Sequence, residues 1–162
     1  MLKIFKKNKS KDITIFSPVK GKVIPIEYIN DGVFSEKMLG DGFAVIPNSN
    51  EIYSPVIGKV VNIFPTKHAI GIQTDAGLEI LIHIGLDTVE LNGEPFELLI
   101  DIGETVDENT LLMKVDWPLI EAKGKGNPVI VVFTDTEIID LIEMKTDSDT
   151  VEKQPIGLVQ LK

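Results

Sequence analysis

Residues 68–83 read His-Ala-Ile-Gly-Ile-Gln-Thr-Asp-Ala-Gly-Leu-Glu-Ile-Leu-Ile-His, and the two histidines at its ends are the only two in the chain. Short apolar segments that flank a polar turn predict a β-hairpin. We expect its loop to be centred between Asp75 and Ala76. Counting outward equally from that point pairs His68 directly with His83, with Cβ atoms about 5 Å apart. A loop of three residues would shift the pairing by one and make the two histidines diagonal neighbours.

Short strand-like segments recur along the rest of the chain. Each is an apolar, mostly β-branched run bounded by turn residues, and the candidates are Ile13–Phe16, Val19–Ile24, Phe43–Ile46, Val56–Ile63, Ala69–Thr74, Leu78–Ile82, Leu111–Val115, Val129–Phe133 and a segment near Gly157–Leu161. Many short strands predict an all-β fold, an antiparallel β-sandwich or a barrel-like variant of it. The clearest helix signal is Asp116–Gly124, with an acidic cap, an early proline and a terminal glycine. We therefore expect only a few short helices.

A ten-residue motif occurs twice. Residues 17–26, SPVKGKVIPI, match residues 54–63, SPVIGKVVNI, at seven of ten positions with an offset of 37. In each copy the Ser-Pro pair predicts a turn, and the glycine marks a strand position where another backbone approaches closely. Because solenoids need about three repeats or more, two copies indicate an internally duplicated β motif.

The composition excludes several classes of protein. The chain has 162 residues, enough for one domain, and no apolar run approaches the ~20 residues of a membrane-spanning helix. It has no cysteine, which excludes disulfides and thiolate metal sites. The net charge of −9 disfavours nucleic acid and favours basic protein partners. The sequence also lacks arginine, so phosphate must be held by backbone N–H groups, hydroxyls, imidazoles or lysine.

The N-terminal segment is basic. Residues 1–12 carry five of the sixteen lysines and are predicted to form a flexible arm ahead of one domain, residues 13–162. A solvated terminus is one interpretation. The other is a weak contact with the inner face of the membrane, because Leu2, Ile4 and Phe5 among lysines suit an interfacial segment. The segment lacks the pattern of a secretory signal, so we expect a cytoplasmic protein.

The histidine pair suits three kinds of site. An imidazole is nucleophilic near neutral pH and can accept a phosphoryl group, while a second imidazole or a hydroxyl such as Thr66 stabilises the developing charge. Alternatively, His68 and His83 form a hydrogen-bonded structural pair. A third alternative is a zinc site, completed by a carboxylate such as Glu79 or Asp87. Geometry alone leaves all three open.

Two segments around the histidines narrow the choice. Residues 62–70, NIFPTKHAI, and residues 80–93, ILIHIGLDTVELNG, closely resemble the active-site segments of the glucose-type enzyme IIA family of the bacterial sugar phosphotransferase system. The resemblance covers almost everything after Asp12 and continues through residues 17–21, 33–42, 102–106 and 116–120.

The resemblance implies an antiparallel β-sandwich that acts as a phosphotransferase with a phosphohistidine intermediate and no required cofactor. His83 would receive phosphate from the histidine-containing phosphocarrier protein (HPr). It would pass the phosphate to a cysteine of an enzyme IIB domain for sugar uptake. His68 would position the phosphoryl group, helped by the Thr66 hydroxyl. Members of the family also bind other proteins to regulate metabolism, so regulatory partners are a further expectation.

The resemblance also implies a partner-docking surface. Its apolar part maps to Val33, Phe34, Phe64 and Leu81, and its acidic part, which meets a basic partner residue, maps to Asp31 and Asp87. From the residues alone, the aromatic and aliphatic side chains are equally typical of a core, and the aspartates of turns. The alternative function is a zinc-binding regulatory or structural module that uses His68 and His83 with a ligand from a partner.

Overall fold

The computed structural model describes residues 11–162, so the predicted basic arm, apart from its last two residues, lies outside the described residues. Strand β1 begins at Asp12, the last residue of that arm. The strands are β1 (Asp12–Phe16), β2 (Gly21–Pro25), β3 (Asp41–Pro47), β4 (Glu51–Tyr53), β5 (Gly58–Ile63), β6 (Ala69–Thr74), β7 (Glu79–Leu86), β8 (Phe96–Leu98), β9 (Thr105–Val106), β10 (Leu111–Val115), β11 (Gly126–Phe133), β12 (Ile139–Met144), β13 (Ser148–Thr150) and β14 (Pro155–Leu161). The helical elements are α1 (Trp117–Ala122) and 3-10 helices at Ile26–Ile29, Thr88–Leu91 and Thr136–Ile138.

All paired strands run antiparallel and form three sheets. The large sheet has eight strands in the order β13-β2-β3-β11-β7-β6-β5-β9, and the small sheets have the orders β1-β14-β12 and β4-β10-β8. One hydrophobic core joins side chains from all three sheets. The predicted all-β, antiparallel fold with short helices is confirmed. No helix among residues 11–162 is long and apolar enough to cross a membrane.

The predicted segments all appear as strands, and α1 is the predicted helix. Asp116 caps α1 by accepting a hydrogen bond from the Leu119 N–H at 3.1 Å, and a proline stands in the first turn. The strands that the sequence did not reveal are β4, β8, β9, β12 and β13. Four of these have only two or three residues, too few to show a periodic pattern.

The two motif copies fold alike and contact each other. The Ser17 hydroxyl donates to the Val19 carbonyl at 2.8 Å, and in the second copy the Ser54 hydroxyl donates to the Val56 carbonyl at 2.6 Å. Both serines are fully buried, so these bonds satisfy groups that would otherwise be costly to bury. The Phe16 N–H donates to Pro55 O and the Tyr53 N–H donates to Pro18 O. These reciprocal bonds relate the copies by an approximate two-fold axis.

The two-fold relation extends through the large sheet. Strands β2 and β5, which contain the motif glycines, each lie second from an edge of the sheet. Gly21 pairs with Pro47 of β3, and Gly58 pairs with Thr74 of β6. Pro47 and Thr74 are therefore corresponding positions in the two halves of the sheet.

Counting from these positions identifies the residue that corresponds to His83. Five residues before Pro47 is Gly42, which pairs with Val132 of β11. Five residues before Thr74 is Ala69, which pairs with His83 of β7. Val132 therefore occupies in one half the place that His83 occupies in the other.

The two halves differ in the connection between their first two strands. Residues 26–40 link β2 to β3, whereas only residues 64–68 link β5 to β6. The long connection packs Ile26 and Phe34 against the outer face of the sheet, away from the main core, in a second hydrophobic cluster with Ile24, Ala44, Ile130 and Val132. We call β2, β3 and β11 with residues 26–40 the covered half, and β5, β6 and β7 with residues 64–68 the open half.

Candidate functional site

The hairpin that carries the histidines has a three-residue loop. Ala69, not His68, pairs with His83, and the Thr74 N–H donates to Leu78 O at 2.8 Å. The expected direct pairing of the two histidines was therefore wrong, and the alternative with a pairing shifted by one is confirmed. The physical reason is Gly77, whose φ of +104° lets the loop close one residue later.

An irregular backbone brings the two rings together despite this shift. The Ile84 N–H donates to His68 O at 2.7 Å, so a regular strand would direct the His68 side chain to the inner face with Ile84. His68 instead precedes the start of β6, and Lys67 before it has a left-handed φ of +61°. The His68 and His83 ring centroids lie 5.0 Å apart with the rings nearly perpendicular. The two predicted site histidines therefore do meet.

One ring nitrogen of His83 is committed to the backbone. Nδ1 lies 2.8 Å from the Gly85 carbonyl oxygen. Because a carbonyl can only accept, the neutral imidazole carries its proton on Nδ1 and its lone pair on Nε2. The ring is half-buried and packs against Phe34, with centroids 4.8 Å apart. Nε2 is therefore the nucleophilic atom of the site.

The surroundings keep His83 neutral. Burial lowers the pKa of His83 to about 4, and the adjacent His68 adds to this effect. The hydrogen bond to Gly85 and the negative charges of Asp31 and Asp87 oppose it and raise the pKa. At neutral pH the Nε2 lone pair is consequently available.

His68 is held by Thr66. The Thr66 hydroxyl oxygen lies 2.6 Å from His68 Nδ1, and the Phe64 ring packs edge-on at 5.4 Å between centroids. His68 is only 6% exposed, and burial lowers its pKa. When the hydroxyl donates to Nδ1, His68 carries its proton on Nε2 and can donate from there to a group bound at His83. The three predicted catalytic residues are thus in one cluster.

The residues predicted for apolar docking surround this cluster with different exposure. Val33 is 41% exposed, Phe64 and Leu81 are half-buried, and Phe34 is only 6% exposed. Leu81 lies on the same strand and face as His83. Phe34 therefore mainly walls the His83 ring, while Val33, Phe64 and Leu81 supply the exposed apolar rim.

The two predicted acidic residues occupy turns beside the site. The Asp31 carboxylate accepts hydrogen bonds from the backbone N–H groups of Val33, Phe34 and Ser35. Burial raises the pKa of Asp31, but these hydrogen bonds outweigh it and lower the pKa below its ordinary value. Asp87 is exposed and has a left-handed φ of +61° ahead of the second 3-10 helix. Both carboxylates therefore add negative charge near His83.

The structure gives the zinc alternative no support. Among residues 11–162, no three His, Asp or Glu side chains group in a way that could hold a metal ion. Glu79 stands four residues from His83 along the same strand, about 13 Å away at the usual rise. This candidate third ligand therefore lies away from the histidines, because the hairpin puts it beside Gln73 near the loop.

Sequence reasoning missed Gly85 as a part of the site. Gly85 accepts the His83 hydrogen bond and has a φ of +78°, a conformation that favours glycine. The signal was present as a glycine two residues after a histidine within an apolar strand, where glycine otherwise weakens the strand.

Comparisons with known proteins agree with this geometry. Residues 13–139 match the family described as phosphoenolpyruvate-dependent sugar phosphotransferase system, EIIA 1. The chain is 46% identical over 137 residues to the PTS system glucose-specific EIIA component of Staphylococcus aureus, which covers 82% of each chain. It is 44% identical over 153 residues to the PTS system glucose-specific EIICBA component of Streptococcus pneumoniae, which covers 93% of this chain and 21% of that protein's length.

A solved structure shares the fold. The structure of glucose permease IIA from Mycoplasma capricolum superposes with a TM-score of 0.83 at 36% sequence identity. The match covers 94% of this chain and 98% of that one. The two chains therefore share the fold over nearly their whole lengths.

Proposed function

The chain belongs to the EIIA 1 family of the phosphoenolpyruvate-dependent sugar phosphotransferase system, and we propose that His83 Nε2 is the atom on which it carries phosphate. As a member of this family it is a phosphoryl carrier of the sugar phosphotransferase system and a phosphotransferase. The observation that carries the assignment to His83 is the hydrogen bond from Nδ1 to Gly85 O, which leaves the Nε2 lone pair free beside a second imidazole.

The loading step is a phosphoryl transfer between two nitrogens. The donor is a phosphohistidine of HPr. The Nε2 lone pair of His83 forms a new N–P bond while the donor's N–P bond breaks, and that electron pair returns to the donor ring. Because His83 is neutral at pH 7, no proton has to leave Nε2 before the attack.

The delivery step moves the same group to sulfur. A cysteine thiolate of an enzyme IIB domain attacks phosphorus, the N–P bond to His83 breaks, and the electron pair returns to Nε2. The Streptococcus relative is named as an EIICBA component, which agrees with an EIIB domain as the acceptor. The names of the relatives specify glucose, and we propose a sugar of that kind as the final acceptor.

His68 stabilises the transferring group. Its Nε2–H donates to a phosphoryl oxygen as negative charge is redistributed in the transition state, while Thr66 holds the ring in that tautomer. This chain contains no arginine, so an imidazole supplies the donor that a guanidinium would otherwise provide.

The partners dock on the face around the cluster. Val33, Phe64 and Leu81 form an apolar rim, and Asp31 and Asp87 add the negative charge that suits a basic partner. Both partners approach the same histidine, so they bind the same face in turn. We propose that the chain meets these partners in the cytoplasm.

Phosphate uptake from phosphoenolpyruvate through the general phosphotransferase proteins tests the assignment. The wild type is expected to take up one acid-labile phosphate, and His83→Gln none. His68→Gln is expected to accept phosphate but to transfer it to an EIIB domain at least tenfold more slowly, because one donor to the phosphoryl group is lost. Phosphate that still binds covalently to the His83→Gln variant would overturn the assignment.

Charge reversal tests the docking face. Asp87→Lys is expected to raise the KM for phosphorylated HPr while leaving the fold intact, because Asp87 is exposed and placed beside the site. Glu137→Lys, an equally exposed acidic residue of the third 3-10 helix, is the matched control. Equal effects of the two variants would show only a response to total charge and would contradict the docking role.

A further inference from the structure

Thr88 is a buried polar residue that the carrier chemistry has not yet used. It is fully buried and begins the second 3-10 helix. Its hydroxyl donates a short hydrogen bond to the Ile84 carbonyl oxygen. That carbonyl belongs to the peptide unit that joins Ile84 to Gly85. The hydrogen bond therefore fixes the orientation of this peptide plane and restrains the Gly85 backbone next to it.

The methyl group of Thr88 holds Gly85 from a second side. A Cβ added to Gly85 would lie 2.5 Å from Thr88 Cγ2 and 2.8 Å from Gly126 O. The Thr88 methyl therefore fills the space directly beside the Gly85 α-carbon. Because glycine has the widest backbone freedom of any residue, neighbouring contacts must hold Gly85 at its φ of +78°.

The orientation of Gly85 decides which nitrogen of His83 is nucleophilic. The Gly85 carbonyl accepts the Nδ1 proton at 2.8 Å, and this bond keeps the lone pair on Nε2. If the carbonyl turned away, the proton could move to Nε2 and the nucleophile would be lost in that fraction of molecules. Anything that fixes the Gly85 carbonyl therefore acts on the reaction through His83.

We propose that Thr88 is a positioning residue of the phosphate carrier: its hydroxyl and methyl groups clamp Gly85 so that the Gly85 carbonyl holds His83 in the Nδ1–H tautomer. The inference rests on the proposed function of His83. Thr88 does not touch the phosphoryl group, and its effect passes through Ile84 and Gly85 alone.

Two substitutions separate the two contacts of Thr88. Thr88→Val keeps a methyl and the side-chain shape but removes the hydroxyl, whereas Thr88→Ser keeps the hydroxyl. Thr150→Val is the matched control. Thr150, the last residue of strand β13, is also buried, and its hydroxyl also donates to a backbone carbonyl, that of Val151 at 3.2 Å. Unfolding in urea measures the stability of each variant.

The direct readout is the nitrogen-15 spectrum of the His83 ring in the full chain, without partners. In the wild type, we expect the shifts of a single Nδ1–H tautomer. In Thr88→Ser, which keeps the hydroxyl but loses the methyl contact, we expect a small change in the same direction as in Thr88→Val. In Thr88→Val, we expect shifts averaged between tautomers and a His83 pKa below that of the wild type, because the bond to Gly85 favours the protonated ring. Thr150→Val should match the wild type.

Kinetics give the second readout. Thr88→Val is expected to lower the rate constant of phosphate acceptance by about tenfold, while the KM for phosphorylated HPr stays unchanged. Unchanged tautomer shifts in Thr88→Val, or equal changes in Thr150→Val, would overturn the positioning role. Failure of the carrier assignment is recognised separately, because His83→Gln would then still take up phosphate whatever the tautomer spectra show.

Discussion

The covered and open halves of the large sheet share strand order and pairing but differ in the length of the connection between their first two strands. In the covered half, residues 26–40 bury Val132 completely beneath Ile26 and Phe34. In the open half, residues 64–68 are too short to cover the corresponding position, and His83 stays partly accessible there. The duplicated fold therefore contains two equivalent positions, those of Val132 and His83. Only the half with the short connection leaves its position accessible to a reacting group.

The long connection nevertheless contributes to the open half. Its middle part lies beside His83, where Phe34 packs against the ring and Asp31 adds negative charge. Phe34 belongs both to the second hydrophobic cluster and to the wall of the site, so the covered half supports one side of the His83 ring. The short connection thus leaves His83 accessible, while the long connection partly buries its ring. This burial explains the low pKa of His83.

The largest effect is expected when the open half is given the residue of the covered half. His83→Val gives the open half the residue of the covered half and removes the only nitrogen that can accept phosphate there. We expect phosphate uptake to disappear entirely and the fold to persist, because valine is accepted at the corresponding Val132. Uptake is measured with labelled phosphoenolpyruvate, and circular dichroism checks the fold. Residual uptake at His68 would contradict the division of roles.

The reverse exchange moves a histidine beneath the covering segment. We expect Val132→His to reduce the free energy of unfolding by about 2–4 kcal/mol, because a larger polar ring is forced into a fully buried apolar site. In the double variant with His83→Val, no phosphate should be taken up. Urea unfolding and the uptake assay measure both effects. Phosphorylation at position 132 would show that the covering segment does not restrict access.

The burial of His83 should make the stability of the protein depend on pH. The pKa of His83 is lowered to about 4, whereas an unfolded histidine titrates near 6.5. Between these values the unfolded chain binds the proton and the folded chain does not, so stability falls as the pH drops from 6.5 to 4. We expect His83→Val to reduce the slope of this fall by at most about 1.4 kcal/mol per pH unit, the limit for one titrating group. Parallel stability profiles for the wild type and the variant would contradict the neutral, buried state of His83.

The smallest expected effect concerns Asp31 in the long connection. Asp31→Ala removes the acceptor for three backbone N–H groups and should cost about 1 kcal/mol of stability. Asp31→Asn keeps an acceptor oxygen and loses only the charge, so it should retain most of that stability while raising the KM for phosphorylated HPr. Equal destabilisation by both variants would contradict the turn role of the side-chain oxygen.

The sequence revealed the strand-rich fold and the duplicated motif because their signals are local. Apolar runs and turn residues mark β2, β5, β6 and β7 without reference to distant residues. The two-residue strand β9 carries no pattern of its own and exists only because β5 offers it an edge. The sequence did not reveal how far the duplication extends, because the two halves correspond in how their strands pair and not in their residues.

The site was predictable in its members and not in its geometry. His68, His83 and Thr66 were expected together and do cluster. The direct cross-strand pairing failed because Gly77 fixes the loop length, which the residues on either side do not determine. Gly85 was overlooked because it acts through its backbone carbonyl, and its one sequence signal was a glycine within an apolar strand.

Nuclear magnetic resonance of the phosphorylated chain tests directly whether His83 Nε2 carries the phosphate. With nitrogen-15 in the histidine rings, phosphorus–nitrogen coupling identifies the atom that carries the phosphoryl group. The geometry predicts coupling to Nε2 of His83, because Nδ1 is held by Gly85 O at 2.8 Å. Coupling to Nδ1 of His83, or to either nitrogen of His68, would contradict the account.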